Sequence, residues 1–219
     1  MIIDARRANR MFKTPPGVDL CTAEGLSRTE ISLPKGVTPW SQEGKAILNN
    51  FGLCLGLADV DNCFHRCKQP FWLAEHFAME PVLAEEVGLT GKVVSGITMQ
   101  ADDVVYPCPG SLCMGFSWSL YFAQQCSEVA MAACPSLSVS ELVSDRSGNL
   151  SFALDQVEEI KHTVYVDNLG VISQNQEVIP EVMEEMSAEF AERRLDLHPF
   201  SIHTDEAKHL GARLDLKQM

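Results

Sequence analysis

The stretch "HTVYVDNLGVIS" (residues 162–173) decides how the chain is read. Apolar residues alternate toward Asp167-Asn168 from one side and resume beyond it on the other. That is the outline of a β-hairpin with a carboxylate in its turn. Asp and Asn favour turns in their own right, since they tolerate left-handed backbone and bond neighbouring peptide groups. A functional reading therefore needs a second group elsewhere in the chain that calls for Asp167 at such a tip.

The second group stands at the end of "LCLGLADV" (53–60), a continuous apolar run that suits a buried central strand better than an amphipathic helix. It closes on Asp59. A carboxylate delivered there by an apolar strand needs a cation, a basic partner or water, or it caps the helix that follows. Two carboxylates, each brought to a sheet edge by a strand, can hold hard divalent cations through oxygen. A two-metal site of that kind activates an attacking hydroxyl and stabilises a leaving oxygen in phosphoryl or nucleotidyl transfer.

Composition sets the frame. The chain has 219 residues, 46% of them hydrophobic and 21% charged, in the range of an ordinary globular protein. No apolar run is long enough to span a bilayer, and "MIIDARRANRMFK" lacks the apolar core of a secretion signal. The expected location is intracellular, in cytoplasm or nucleus, with no membrane partner. The eight cysteines include no CxxC pair, and reduced thiols fit such a compartment. The formal charge of −13 opposes a broad nucleic-acid-binding surface, because positive charge is what captures phosphates.

Along the chain, residues 14–45 read as Pro-, Gly- and Ser-rich loop. Residues 71–88 are expected to be helical, and 92–110 to form two short strands and a Pro-rich loop. The segment 115–134 reads as a buried helix and 135–151 as a loop. The segment 177–195 reads as an amphipathic helix with Asn175 as cap, and 209–216 as a final strand. There is no internal repeat. The order predicts an α+β fold, an antiparallel sheet with helices on one face.

Motifs and order together resemble the palm of reverse transcriptases, the retrotransposon type in particular. "LADVDNCFHR" (57–66) is similar to palm motif A. "LCMGFSWSLYFAQ", within 110–125, is similar to motif B, and "YVDN", within 162–173, to the Y-x-D-D of motif C. "MIIDARRAN" is similar to a fingers segment, giving a partial fingers region over 1–50 and a palm over 51–219. The resemblance implies an RNA-directed DNA polymerase that extends a primer 3′-OH with deoxynucleotides on an RNA or DNA template. It implies two Mg²⁺ or Mn²⁺ ions as cofactor.

Carried over position by position, Asp59 and Asp167 would be the catalytic metal-binding aspartates. The carbonyl of Val60 and the side chain of Asn168 would be further ligands. Phe64 would close off the sugar 2′ position, Met114 and Gly115 would line the nucleotide pocket, and Tyr165 and Val166 would approach the primer end and the incoming nucleotide. Asn168 departs from the second aspartate of the motif, and its neutral oxygen should lower metal affinity. Cys113 stands where the family often has proline. The chain is expected to begin after the basic fingers residues and to stop before a thumb, as part of a polyprotein or a truncated product would. The alternative is a degenerate or domesticated relative without polymerase activity, kept as a relic or as a protein- or RNA-binding module.

Overall fold

In a computed structural model, residues 4–148, 151–154 and 158–217 are described. The fold is mixed α+β with several small sheets. Contacts divide it into two compact units, one holding the chain up to Thr14 with Phe64–Ser119, the other Pro15–Cys63 with the chain from Leu120 on. This division by contact differs from a boundary near residue 50, which rests on motif order.

The second unit carries the main sheet. Its strands are β1 (Cys54–Asp59), β2 (Glu141–Val143), β3 (Ile160–Tyr165), β4 (Asn168–Ser173) and β5 (Ser201–His203), in the order β5-β1-β4-β3-β2. β1 pairs antiparallel with β4 and β5, and β4 with β3. Only the edge departs from the expected antiparallel pattern: β2, read from sequence as loop, lies parallel to β3. The Lys161 ammonium secures it, bonding Glu141 at 2.5 Å and Glu159 at 2.7 Å with a side chain only 2% exposed. A buried ammonium is tolerable because two carboxylates meet it.

Both faces of this sheet are covered. Helix α1 (Ser117–Ala133) begins in the first unit and continues into the second, and helix α2 (Val178–Glu192) packs on β1 and β4. Gly56 permits that packing. A Cβ there would meet Met183 Sδ at 2.6 Å, so any side chain would push the helix off the strand. Val182, Met183, Met186 and Phe190 are buried on α2, as its periodicity predicts. The helix stops earlier than expected because Arg194 turns left-handed, at φ 61°, and Leu195 N–H donates back to the Phe190 carbonyl. Asn175 does not cap it; its Oδ1 accepts from Glu177 N–H just outside the helix.

On the opposite face Leu55 and Ile172 join a core with Leu26, Phe152, Ala207 and Leu216. The hairpin of β6 (Glu206–His209) and β7 (Ala212–Asp215) contributes Ala207 there, and β7 is the expected final strand, shorter than predicted. Gly170 faces this side, where a Cβ would meet Thr163 Oγ1 at 2.5 Å and His209 Nε2 at 3.0 Å.

In the first unit the expected helix over 71–88 is confined to Phe71–Ala74 and a 3₁₀ turn, Glu75–Phe77. Pro81 disfavours helical backbone at the residue before it, and Val82–Leu83 is already a strand, paired with Val104–Val105. A tight hairpin, Val93–Val94 with Ile97–Thr98, lies between them in the chain. Ala8, Leu73, Phe77 and Phe116 form this unit's core.

Candidate functional site

Tyr165 pairs with Asn168, so the two-residue tip of the β3–β4 hairpin is Val166-Asp167. Asn168 is already in the strand, opposite both Tyr165 and Asp59. The carboxylate is therefore in the turn, as the sequence implies, but one position away from an Asp-Asn turn. Val60 N–H donates to the Asp167 carbonyl at 2.8 Å, which ties the end of β1 to the hairpin tip.

Asp59 and Asp167 thus sit at the same end of one sheet. The Asp59 carboxyl is half-buried, and its pKa lies above the usual carboxylate value. Burial is the main cause, the negative charge of Asp167 the next; His198 acts in the opposite sense and Asp61 adds to the rise. Neighbouring bonds fix the surroundings. His198 N–H donates to the Asp59 carbonyl at 2.9 Å, Asp61 N–H to the Asp196 carbonyl at 2.9 Å, and His198 Nε2 lies 3.5 Å from Asp61 Oδ1. Asn168 turns its amide nitrogen to Asp167, with Nδ2 donating to Oδ1 at 2.9 Å.

A shallow pocket opens here, lined by Asp59, Asn168, His198, Lys208 and His209 among others. The basic lining was not legible in the sequence, because Lys208 and His209 lie about forty residues past the hairpin and arrive through β6. His209 is 5% exposed and shares a 2.9 Å hydrogen bond with Thr163 Oγ1. Burial lowers its pKa to about 4, so at neutral pH it adds no charge.

Two cations need oxygen ligands, and the donor set is thin. Among the described residues no group of three or more His, Cys, Asp and Glu side chains gathers as a metal centre. What is present is a pair of carboxylates at one end of the sheet with a neutral amide beside them.

Tyr165 is partly exposed on β3, and Val166 is buried. Phe64, Met114 and Gly115 belong to the first unit. Phe64 is half-buried in the short helix Cys63–Arg66, and Met114 is exposed. Gly115 has φ 109°, a conformation that only glycine adopts at little cost. The Asn9 side chain holds this loop, donating from Nδ2 to the Gly115 carbonyl at 3.0 Å and accepting from Ser117 N–H at 2.9 Å. The "RRAN" segment thus orders the start of α1, a role with no signal in its own sequence. Cys113 is buried, and burial raises its thiol pKa.

No protein-family model matches the chain, and no curated protein matches it. Among solved structures it is similar to telomerase from Candida albicans in complex with a fragment of telomeric RNA, at TM-score 0.44 and 11% identity, over 80% of this chain and 31% of that one. It is also similar to apo telomerase from Candida tropicalis truncated from its C-terminal domain, at TM-score 0.46 and 11% identity, over 89% and 40%. The untruncated apo enzyme gives TM-score 0.46 and 10% identity, over 89% and 37%. The chain spans between 31% and 40% of their lengths. At these scores the likeness is coarse and carries no argument. No helix among the described residues is long and apolar enough to cross a membrane.

Proposed function

We propose that the chain carries a reverse-transcriptase-like palm, of retroelement type, whose Asp59–Asp167 pair binds Mg²⁺ or Mn²⁺ for nucleotidyl transfer to a primer 3′-OH. The observation that carries this is the delivery of two carboxylates to one end of one sheet, by a central strand and by a hairpin tip, with Asp167's charge felt at Asp59. Asp59 and Asp167 would hold the cation, with Asn168 and the Val60 carbonyl as neutral oxygen donors. A bound divalent ion supplies charge stabilisation for a displaced oxygen and lowers the pKa of an attacking hydroxyl. Tyr165 and Val166, beside the carboxylate pair, would contact the nucleotide, and primer and template would be the partners.

Affinity for metal is expected to be weak, since one carboxylate of the motif is an amide that already donates to Asp167. Calorimetric titration with Mn²⁺ tests the reading on three chains. Asp59→Asn should lose binding, and Asn168→Asp should tighten it by about tenfold or more, because a hard cation prefers the added charge. Equal affinities in all three would end it. Primer extension by the chain alone should be slight even with Mn²⁺, given a net charge of −13 against a polyanionic template.

A second reading, a relative without polymerase activity acting as a binding module, draws on the Asn168–Asp167 hydrogen bond and the acidic surface. Absence of Mn²⁺ binding in both the parent and Asn168→Asp would select it.

A further inference from the structure

The tip that carries Asp167 has a conformation its own residues disfavour. Val166 has φ 56°, while Asp167 has none of the positive φ angles. Positive φ at the first loop position alone is the type II′ pattern, which ordinarily takes glycine there. A β-branched residue in that region is strained, and it persists only where its surroundings hold it.

The surroundings are two side chains of α1. Gln124 Oε1 accepts from Val166 N–H at 2.7 Å, and Gln124 Nε2 donates to the Val164 carbonyl at 3.2 Å. Ser127 Oγ donates to the Val166 carbonyl at 2.6 Å. Both residues are 0% exposed. They stand three apart, so one helix face presents both to the turn. Buried polar groups cost free energy unless paired, and these find partners on the strained peptide and its neighbour, with Gln124 Nε2 also donating to Glu128 Oε1 at 2.8 Å.

We infer that Gln124 and Ser127 are positioning residues: they hold Val166 left-handed and so aim the adjacent Asp167 carboxylate toward Asp59. The geometry of the carboxylate pair is then set by α1 and not by the turn sequence. Only the metal-binding arm of the test rests on the function proposed above.

The variants are Gln124→Met, Ser127→Ala, and each combined with Val166→Gly. Backbone hydrogen exchange is followed at Val166, with Leu169 in the same hairpin as internal reference, and each folded variant is titrated with Mn²⁺. Gln124→Met should lower protection at Val166 by about tenfold relative to Leu169, as expected for local opening. It should weaken Mn²⁺ binding by about tenfold, and Val166→Gly should restore most of that loss, because glycine takes positive φ without strain. A general loosening of the core would lower both protections together and would not be rescued by glycine. Unchanged relative protection in both Gln124→Met and Ser127→Ala would overturn the inference, as would a loss of affinity that Val166→Gly leaves untouched. If the parent chain binds no Mn²⁺, the metal site fails while the exchange measurement still decides the clamp.

Discussion

The chain makes the β6–β7 and β3–β4 hairpins in opposite ways. At β6–β7 the loop is Leu210-Gly211, with φ 50° and 80°. Both central residues are left-handed, the type I′ pattern that fits the natural twist of two strands, and glycine takes the second position. Ser95-Gly96 repeats the solution elsewhere, with φ 50° and 82°. Local sequence suffices for these turns. A Cβ at Gly211 or Gly96 would meet nothing within 4 Å, so neither glycine is there to avoid a clash. At β3–β4 the loop is Val166-Asp167, with no glycine, and its shape comes from α1. The contrast separates a turn that only reverses the chain from one that presents a carboxylate.

The strongest expected effect concerns the buried histidine that each hairpin carries. His162 on β3 accepts or donates a 2.6 Å hydrogen bond with Ser140 Oγ, and His209 on β6 bonds Thr163. Burial lowers each pKa to about 4 from the ordinary 6.5. The unfolded chain therefore binds a proton that the folded one refuses, between those two values. The associated stability is complete above about pH 6.5 and is lost as pH falls toward 4, on the order of 2–3 kcal/mol for each histidine. Urea unfolding from pH 7 down to pH 4.5 should show the decline. His209→Gln should flatten about half of it; an unchanged slope would mean that His209 is not the buried neutral group described.

A smaller effect tests the turns directly. Gly211→Val places a β-branched residue at φ 80° and should cost about 1–2 kcal/mol. Val166→Gly relieves strain but adds freedom to the unfolded chain, so its net effect should stay within about 1 kcal/mol. Equal losses in thermal unfolding would erase the distinction between the two hairpins.

The same distinction explains what the sequence could announce. β1, the hairpin strands and α2 are visible because apolar periodicity reports burial, and Asp59 is visible because a carboxylate ends an apolar run. The tip lies one residue before the Asp167-Asn168 pair that the sequence points to. Asp and Asn are the usual turn formers, so Asp167-Asn168 looked like the loop, whereas Gln124 and Ser127 impose Val166-Asp167 from forty residues away. Strand β2 is three residues long and owes its place to pairing with β3 and to the Lys161–Glu141 bond, neither of which has a local pattern. Lys208, His198 and His209 reach the pocket through chain reversals that no spacing rule anticipates.

The smallest effect falls on the carboxylate that the β3–β4 tip faces. In the folded chain Asp59 has a raised pKa, first from burial and then from Asp167's charge, so folding disfavours its ionised form relative to the unfolded chain. The sign is opposite to that of a salt-bridged aspartate: protonation of Asp59 favours the fold, and its ionisation weakens it as pH rises through the raised value. Asp59→Asn keeps the shape and removes the charge. It should raise stability near pH 7 by up to about 1 kcal/mol, the pattern of a residue kept for function at some cost to the fold. The gain should shrink in Asp167→Asn, because the repulsion between the two carboxylates is then already gone, and a double-mutant cycle in urea would measure that coupling. No analogous gain is expected from neutralising Glu206 on β6, whose carboxylate is bonded by Arg213 at 2.6 Å and 2.7 Å on an exposed surface. Additive effects for Asp59 and Asp167 would place the two charges too far apart to share a cation.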